Sequence, residues 1–131
     1  MEHNDRMSSA ARHYVASARS TDTFGRVLCN ARDQHFVIDG PVPNGCPGEA
    51  VTPPESFLAG VAACGVELTQ VIARELGLPI PSAKIEIEGV VDREHPVRPD
   101  VTLFNSVRLR FKIDGINRQQ ALDLIERFKK R

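Results

Sequence analysis

Apolar and polar positions first alternate clearly along His13–Arg19, where Tyr14, Ala16 and Ala18 stand opposite His13, Val15 and Ser17. A period of two predicts a strand. Arg26–Ala31 and His35–Asp39 predict two more, joined as a hairpin that turns near Arg32-Asp33. Gly40–Val51 holds three Pro and three Gly in twelve residues and reads as a loop. The pattern then changes to a helical one. Thr52 suits an N-cap, Pro53 the first helical position and Glu55 the carboxylate of a capping box. The helix is predicted to run to about Leu76, with Gly77 as its stop and Pro79 just beyond. Ser56–Val66 carries no charge at all. A surface helix would show a polar stripe over that length, so this stretch is predicted to be buried on most sides, by more than its own chain. Lys84–Val91 alternates again, with Ile85 and Ile87 against Glu86 and Glu88. After a loop, Asp92–Asp100, the alternation resumes over Val101–Ile113. Asn117 can cap a last helix, in which Ala121, Leu124, Ile125 and Phe128 form one apolar face.

The order is therefore βββ-α-ββ-α, an α+β class. Residues 1–131 read as one domain, without repeats or a long linker, and the polar residues 1–10 as a frayed end. Composition narrows the function. Lys plus Arg and Asp plus Glu number 17 each, so the basic excess of a nucleic-acid binder is missing. No apolar run is expected to approach the roughly 18 residues of a membrane span. The polar start has no following apolar stretch, so no signal peptide is expected. Three cysteines, Cys29, Cys46 and Cys64, lack paired spacing, which points to reduced thiols and a cytoplasmic setting.

Among candidate chemical residues, Cys64 stands first. It lies mid-helix in Val61-Ala62-Ala63-Cys64-Gly65, where small neighbours would let a substrate approach the sulfur. The plain alternative is a buried small hydrophobe. Glu55 is fully explained by capping, and Arg108, Arg110 and Lys112 by a solvated strand face. His3, His13, His35 and His95 are scattered, and no CxxC, HExxH or HxxxH occurs, so neither a metal nor another cofactor is expected. Gly45-Cys46-Pro47-Gly48 does not lead directly into a helix, as a phosphate loop would.

The run Thr52-Pro53-Pro54-Glu55-Ser56-Phe57-Leu58-Ala59-Gly60-Val61-Ala62-Ala63-Cys64 resembles the signature of the OsmC/Ohr family, the osmotically inducible and organic hydroperoxide resistance proteins. His35–Pro41 resembles that family's strand and turn, and residues 84–131 its strand pair and last helix. The resemblance implies an intertwined homodimer whose central helices are wrapped by antiparallel sheets from both chains. It also implies a peroxidase that reduces organic hydroperoxides through Cys64, restored by a thiol or dithiol reductant. Apolar surroundings disfavour a thiolate, so a cation is needed beside it. The family supplies an Arg from its N-terminal strands, held by the Glu that matches Glu55.

Two departures bear on that role. Thr21-Asp22-Thr23-Phe24-Gly25-Arg26 stands where the hydroperoxide-resistance branch carries two arginines; the first position reads Thr23. Arg26 is then the expected partner of Cys64, with Arg19 and Arg32 as substitutes. The family's resolving cysteine follows the last helix, where this sequence reads Lys129-Lys130-Arg131 and stops. Either the sequence is truncated there or that cysteine is lacking, and Cys46 is the substitute within reach of the sequence. The competing function is a non-catalytic dimer that binds a small hydrophobic ligand.

Overall fold

A computed structural model describes residues 10–131. The stretch expected to be frayed, apart from Ala10, lies outside the described residues. The chain divides into two compact units, one ending at Pro53 and the other beginning at Pro54.

In the first unit, β1 (Ser17–Ser20), β2 (Arg26–Ala31) and β3 (Gln34–Asp39) form an antiparallel sheet in that order. The β2–β3 hairpin turns where expected, with Arg32 left-handed at φ 57°. The first strand is shorter than its alternation predicts, and register explains why. Ser17 pairs with Asn30, so Ala16 falls opposite Ala31 and residues 13–15 would overhang the turn at Arg32. Tyr14 and Val15 are accordingly exposed. A short 3-10 turn, Val42–Asn44, lies in the loop that follows.

In the second unit, α1 (Pro53–Glu75) ends one residue before the expected Leu76. Its stop is a Schellman motif. The Leu78 N–H donates to Ala73 O at 2.8 Å, the Gly77 N–H donates to Arg74 O at 3.1 Å, and Gly77 takes φ 71°. Only glycine adopts that backbone without strain. Next, β4 (Ala83–Val90) and β5 (Ser106–Ile113) pair antiparallel, Ala83 opposite Ile113 and Val90 opposite Ser106. The strand predicted from Val101 starts only at Ser106, because Asn105 closes a loop instead of extending the ladder. Its N–H donates to Val90 O, its side-chain amide donates to His95 O, and its Oδ1 accepts the Asp92 N–H. The last helix, α2 (Arg118–Lys129), carries the cap foreseen at Asn117. The Asn117 side chain accepts the Gln120 N–H at 2.8 Å, and the Gln120 side chain accepts the Asn117 N–H at 3.0 Å.

Ile72, Ala73 and Leu124 form the buried core of this unit, with Leu78, Ile80, Ile113, Ile116 and Phe128 packed around them. Phe111 meets Phe128 edge to ring at 5.7 Å. Gly65 lets Ile85 and Phe128 approach the helix backbone. The expected burial of Ser56–Val66 is not supplied by this chain. Gly65 alone is buried in that stretch, and Phe57 is 61% exposed. By length and composition α1 is even apolar enough to cross a membrane, although charges interrupt it at Glu67, Arg74 and Glu75.

Leu124 is 0% exposed at the centre of this core. Leu124→Ala is expected to cost about 2–5 kcal/mol, the range for deleting a buried leucine side chain. Urea unfolding followed by circular dichroism measures it.

Candidate functional site

Cys64 and Glu55 both lie on α1, and both are exposed in the chain. Ala62, Ala63 and Gly65 stand beside Cys64 in the sequence. Of the three free cysteines, Cys29 is buried in β2, Cys46 is half-buried and Cys64 is open. The helix does not bring Glu55 to Cys64. Nine residues at 1.5 Å and 100° each set them about 13.5 Å apart along the axis and on opposite faces.

Arg26 opens β2 directly across from Asp39, the last residue of β3. Its guanidinium forks onto the Asp39 carboxylate, Nε to Oδ1 at 2.8 Å and Nη2 to Oδ2 at 2.8 Å. The same Nη2 donates to Glu49 Oε1 at 2.7 Å. Asp39 is fully buried, Arg26 is 31% exposed and Glu49 is at the surface. Asp39 Oδ2 also accepts the backbone N–H groups of Glu49 at 3.0 Å and Ala50 at 2.8 Å. Its own N–H donates to Val51 O at 3.0 Å. The Arg26 hydrogen bonds hold the Asp39 carboxyl well below the usual carboxylate range; burial opposes them, and the two backbone donors add to them. Asp39 in turn holds Arg26 protonated even more firmly than usual.

Neither Asp39 nor Glu49 is evident as a partner of Arg26 from residue types alone. The signal was the hairpin register: with the turn at Arg32-Asp33, Arg26 falls opposite Asp39. Arg19 lies on β1 and Arg32 in the β2–β3 turn; both are exposed, and neither pairs with a carboxylate among the described residues. Thr23 belongs to the β1–β2 turn, where its N–H donates to Thr21 Oγ1 and its carbonyl accepts the Arg26 N–H.

Cys46 is packed against the same corner of the sheet. A β-carbon at either Gly25 or Gly40 would collide with its side chain, and the Gly40 N–H donates to Gly25 O at 2.7 Å. The loop after β4 gathers Asp92, Glu94 and His95, all exposed. Asp92 accepts the Glu94 N–H through Oδ1 and lies 3.0 Å from His95 Nδ1 through Oδ2. These bonds shape the loop itself.

The sequence profile of the OsmC-like protein family matches residues 46–131. No curated protein sequence matches the chain. Among solved structures, an OsmC-like protein from Mycoplasma pneumoniae superposes with TM-score 0.78 at 16% identity, over 92% of this chain and 82% of that one. An organic hydroperoxide resistance protein OsmC from Legionella pneumophila gives 0.73 at 20% identity, over 93% and 85%. An OsmC-like protein of unknown function from Vibrio cholerae gives 0.77 at 14% identity, over 92% and 89%. At these identities the likeness is one of fold: two helices with antiparallel sheets.

The buried pair has a definite pH signature. Because Asp39 is depressed in the folded chain, its contribution is complete above its unfolded value of about 3.9 and is lost as pH falls through the lower folded value. Melting temperatures measured from neutral pH down to about pH 2 should therefore fall more steeply for the wild type than for Asp39→Asn. The variant should be the less stable of the two at neutral pH.

Proposed function

We propose that this chain, which belongs to the OsmC-like protein family, is a thiol-dependent peroxidase that reduces organic hydroperoxides through Cys64. The observation that carries the reading is the placement of Cys64. It is the open thiol among three, set between small residues on the helix that begins Pro53-Pro54-Glu55. In the first step the Cys64 thiolate attacks the distal peroxide oxygen. The S–O bond forms as the O–O bond breaks, the sulfur loses two electrons, and the alkoxide leaves as the alcohol after taking a proton. A thiol then condenses with the sulfenic acid, releasing water and leaving a mixed disulfide; a second thiol frees Cys64 and departs as the oxidised disulfide. A reducing, cytoplasmic setting goes with this chemistry.

Helix geometry supports a site built from two chains. Glu55 leaves α1 on the face opposite Cys64, so the glutamate that works with one Cys64 belongs to a second copy. The exposed apolar length of α1 is the surface such a homodimer would cover. The resemblance would take the activating cation from the N-terminal strands. Arg26 sets one positive charge against the two negative charges of Asp39 and Glu49, which leaves Arg19 and Arg32. The spent charge on Arg26 and the threonine at position 23 favour the second reading, a dimer that binds a small hydrophobic ligand without turning it over.

Sedimentation velocity at micromolar concentration is expected to show a dimer; a stable monomer would contradict the composite site. The redox test is the mass of the chain after treatment with tert-butyl hydroperoxide and no thiol. The 131-residue chain is expected to gain one oxygen on Cys64, then a second with excess peroxide. A product two hydrogens lighter, abolished by Cys46→Ser, would make Cys46 the resolving residue. No change of mass, with Cys64 still reduced, would leave the binding reading in its place.

A further inference from the structure

We propose that Arg26 is a positioning residue: with Asp39 it clamps the backbone that leads into α1, and it acts on the Cys64 site through that clamp rather than by its charge. The activity arm of the inference rests on the peroxidase reading above; the clamp itself does not.

The geometry accounts for nearly every polar atom in the cluster. Arg26 spends Nε and Nη2 on Asp39, and Nη2 again on Glu49. A buried carboxylate without a counter-charge is strongly unfavourable, so the fork is what allows Asp39 to stay ionised at 0% exposure. An ionised Asp39 is in turn the acceptor that holds the N–H groups of Glu49 and Ala50, while its own N–H holds Val51 O. Three consecutive residues of a Pro/Gly-rich loop are thereby fastened to the end of β3. Gly48 adds a fourth tie, its N–H donating to Gly40 O at 3.1 Å. Val51 is followed by Thr52, and α1 begins at Pro53 with Glu55 in its first turn. The last fastened residue, Val51, lies two positions before the start of the helix. Glu49 is different. It meets Arg26 from the surface through one bond and accepts nothing else from the clamp, so it adds charge without adding a tie.

A plain ion pair and a direct electrostatic role for Arg26 make other forecasts, which five variants of the full chain separate. Lysine keeps the charge at position 26 but cannot fork. The readouts are amide hydrogen exchange at Glu49 and Ala50 and the second-order rate of Cys64 oxidation by tert-butyl hydroperoxide, followed by peptide mass spectrometry. All are taken well below each variant's unfolding midpoint. Arg26→Lys, Arg26→Ala and Asp39→Asn are each expected to speed exchange at Glu49 and Ala50 by about tenfold, the equivalent of some 1.4 kcal/mol of local opening. Each is expected to slow Cys64 oxidation to a similar extent. Combining Arg26→Lys with Asp39→Asn should be no worse than either alone, because both remove the same clamp. Glu49→Gln should leave both readouts within about twofold of the wild type.

The inference is overturned if Arg26→Lys retains the wild-type oxidation rate while Arg26→Ala loses it, or if Glu49→Gln speeds oxidation by freeing the guanidinium. Either result assigns the charge of Arg26 directly to the thiolate. Unchanged exchange at Glu49 and Ala50 in Asp39→Asn removes the clamp, and changed exchange with an unchanged Cys64 rate removes its link to the site. A wild-type chain inert to hydroperoxide sinks the peroxidase reading alone. The same variants are then compared by the rate of Cys64 alkylation with a neutral maleimide, with the same expected order.

Discussion

The apolar length of α1 is the constraint around which the rest of the structure is arranged. The helix has 23 residues, and this chain buries only Gly65, Thr69, Ile72 and Ala73 of them. What surrounds the helix serves to start it, stop it and pack its last third. A pinned loop delivers the chain to Pro53, a Schellman turn at Gly77 ends the helix, and Leu124 and Phe128 of α2 with Ile113 of β5 cover the stretch near Ile72. The open two-thirds carries the residues with chemistry, Glu55 and Cys64. A hydrophobic surface that one chain leaves open and a thiol lying within it are therefore a single problem, and a second copy of the chain would solve both at once.

Much of the fold could be read from the residues because the governing interactions are local. Gly77 stops α1, Asn117 caps α2, and the hairpin turns at Arg32-Asp33, each through contacts within a few positions of itself. The misreadings arise where a distant partner decides. His13–Val15 alternates like a strand, but the neighbouring strand turns away before reaching it. Val101–Asn105 alternates as well, yet Asn105 finds better partners in Asp92 and His95 across the loop. The absence of charge in Ser56–Val66 was a true signal of unusual surroundings. It could not say that this chain leaves those residues open.

The candidate site divides in the same way. Cys64 and Glu55 were visible as a helix motif, and their separation by two and a half turns follows from helix arithmetic. Arg26 was visible as a cation. Its pairing was legible only through the hairpin register for Asp39 and not at all for Glu49, which lie 13 and 23 positions away. A cation expected beside a reactive thiol invites a direct electrostatic role, but the count of opposing charges around it decides whether any field is left over. Around Arg26 the balance is negative, whereas Arg19 and Arg32 have no carboxylate partner among the described residues.

Gly25, Gly40 and Cys46 share one small volume. The cysteine side chain fills the space the two glycines leave empty, and the glycines are joined backbone to backbone beside the Arg26–Asp39 rung. Gly25 also has φ 81°, so its lack of a side chain is required twice over. Such a triplet is epistatic. Position 46 can become smaller on its own, whereas an alanine at position 40 meets the Cys46 side chain unless position 46 has shrunk first. The order of change is therefore fixed: a side chain at position 40 has room only after position 46 has shrunk, and position 25 stays glycine.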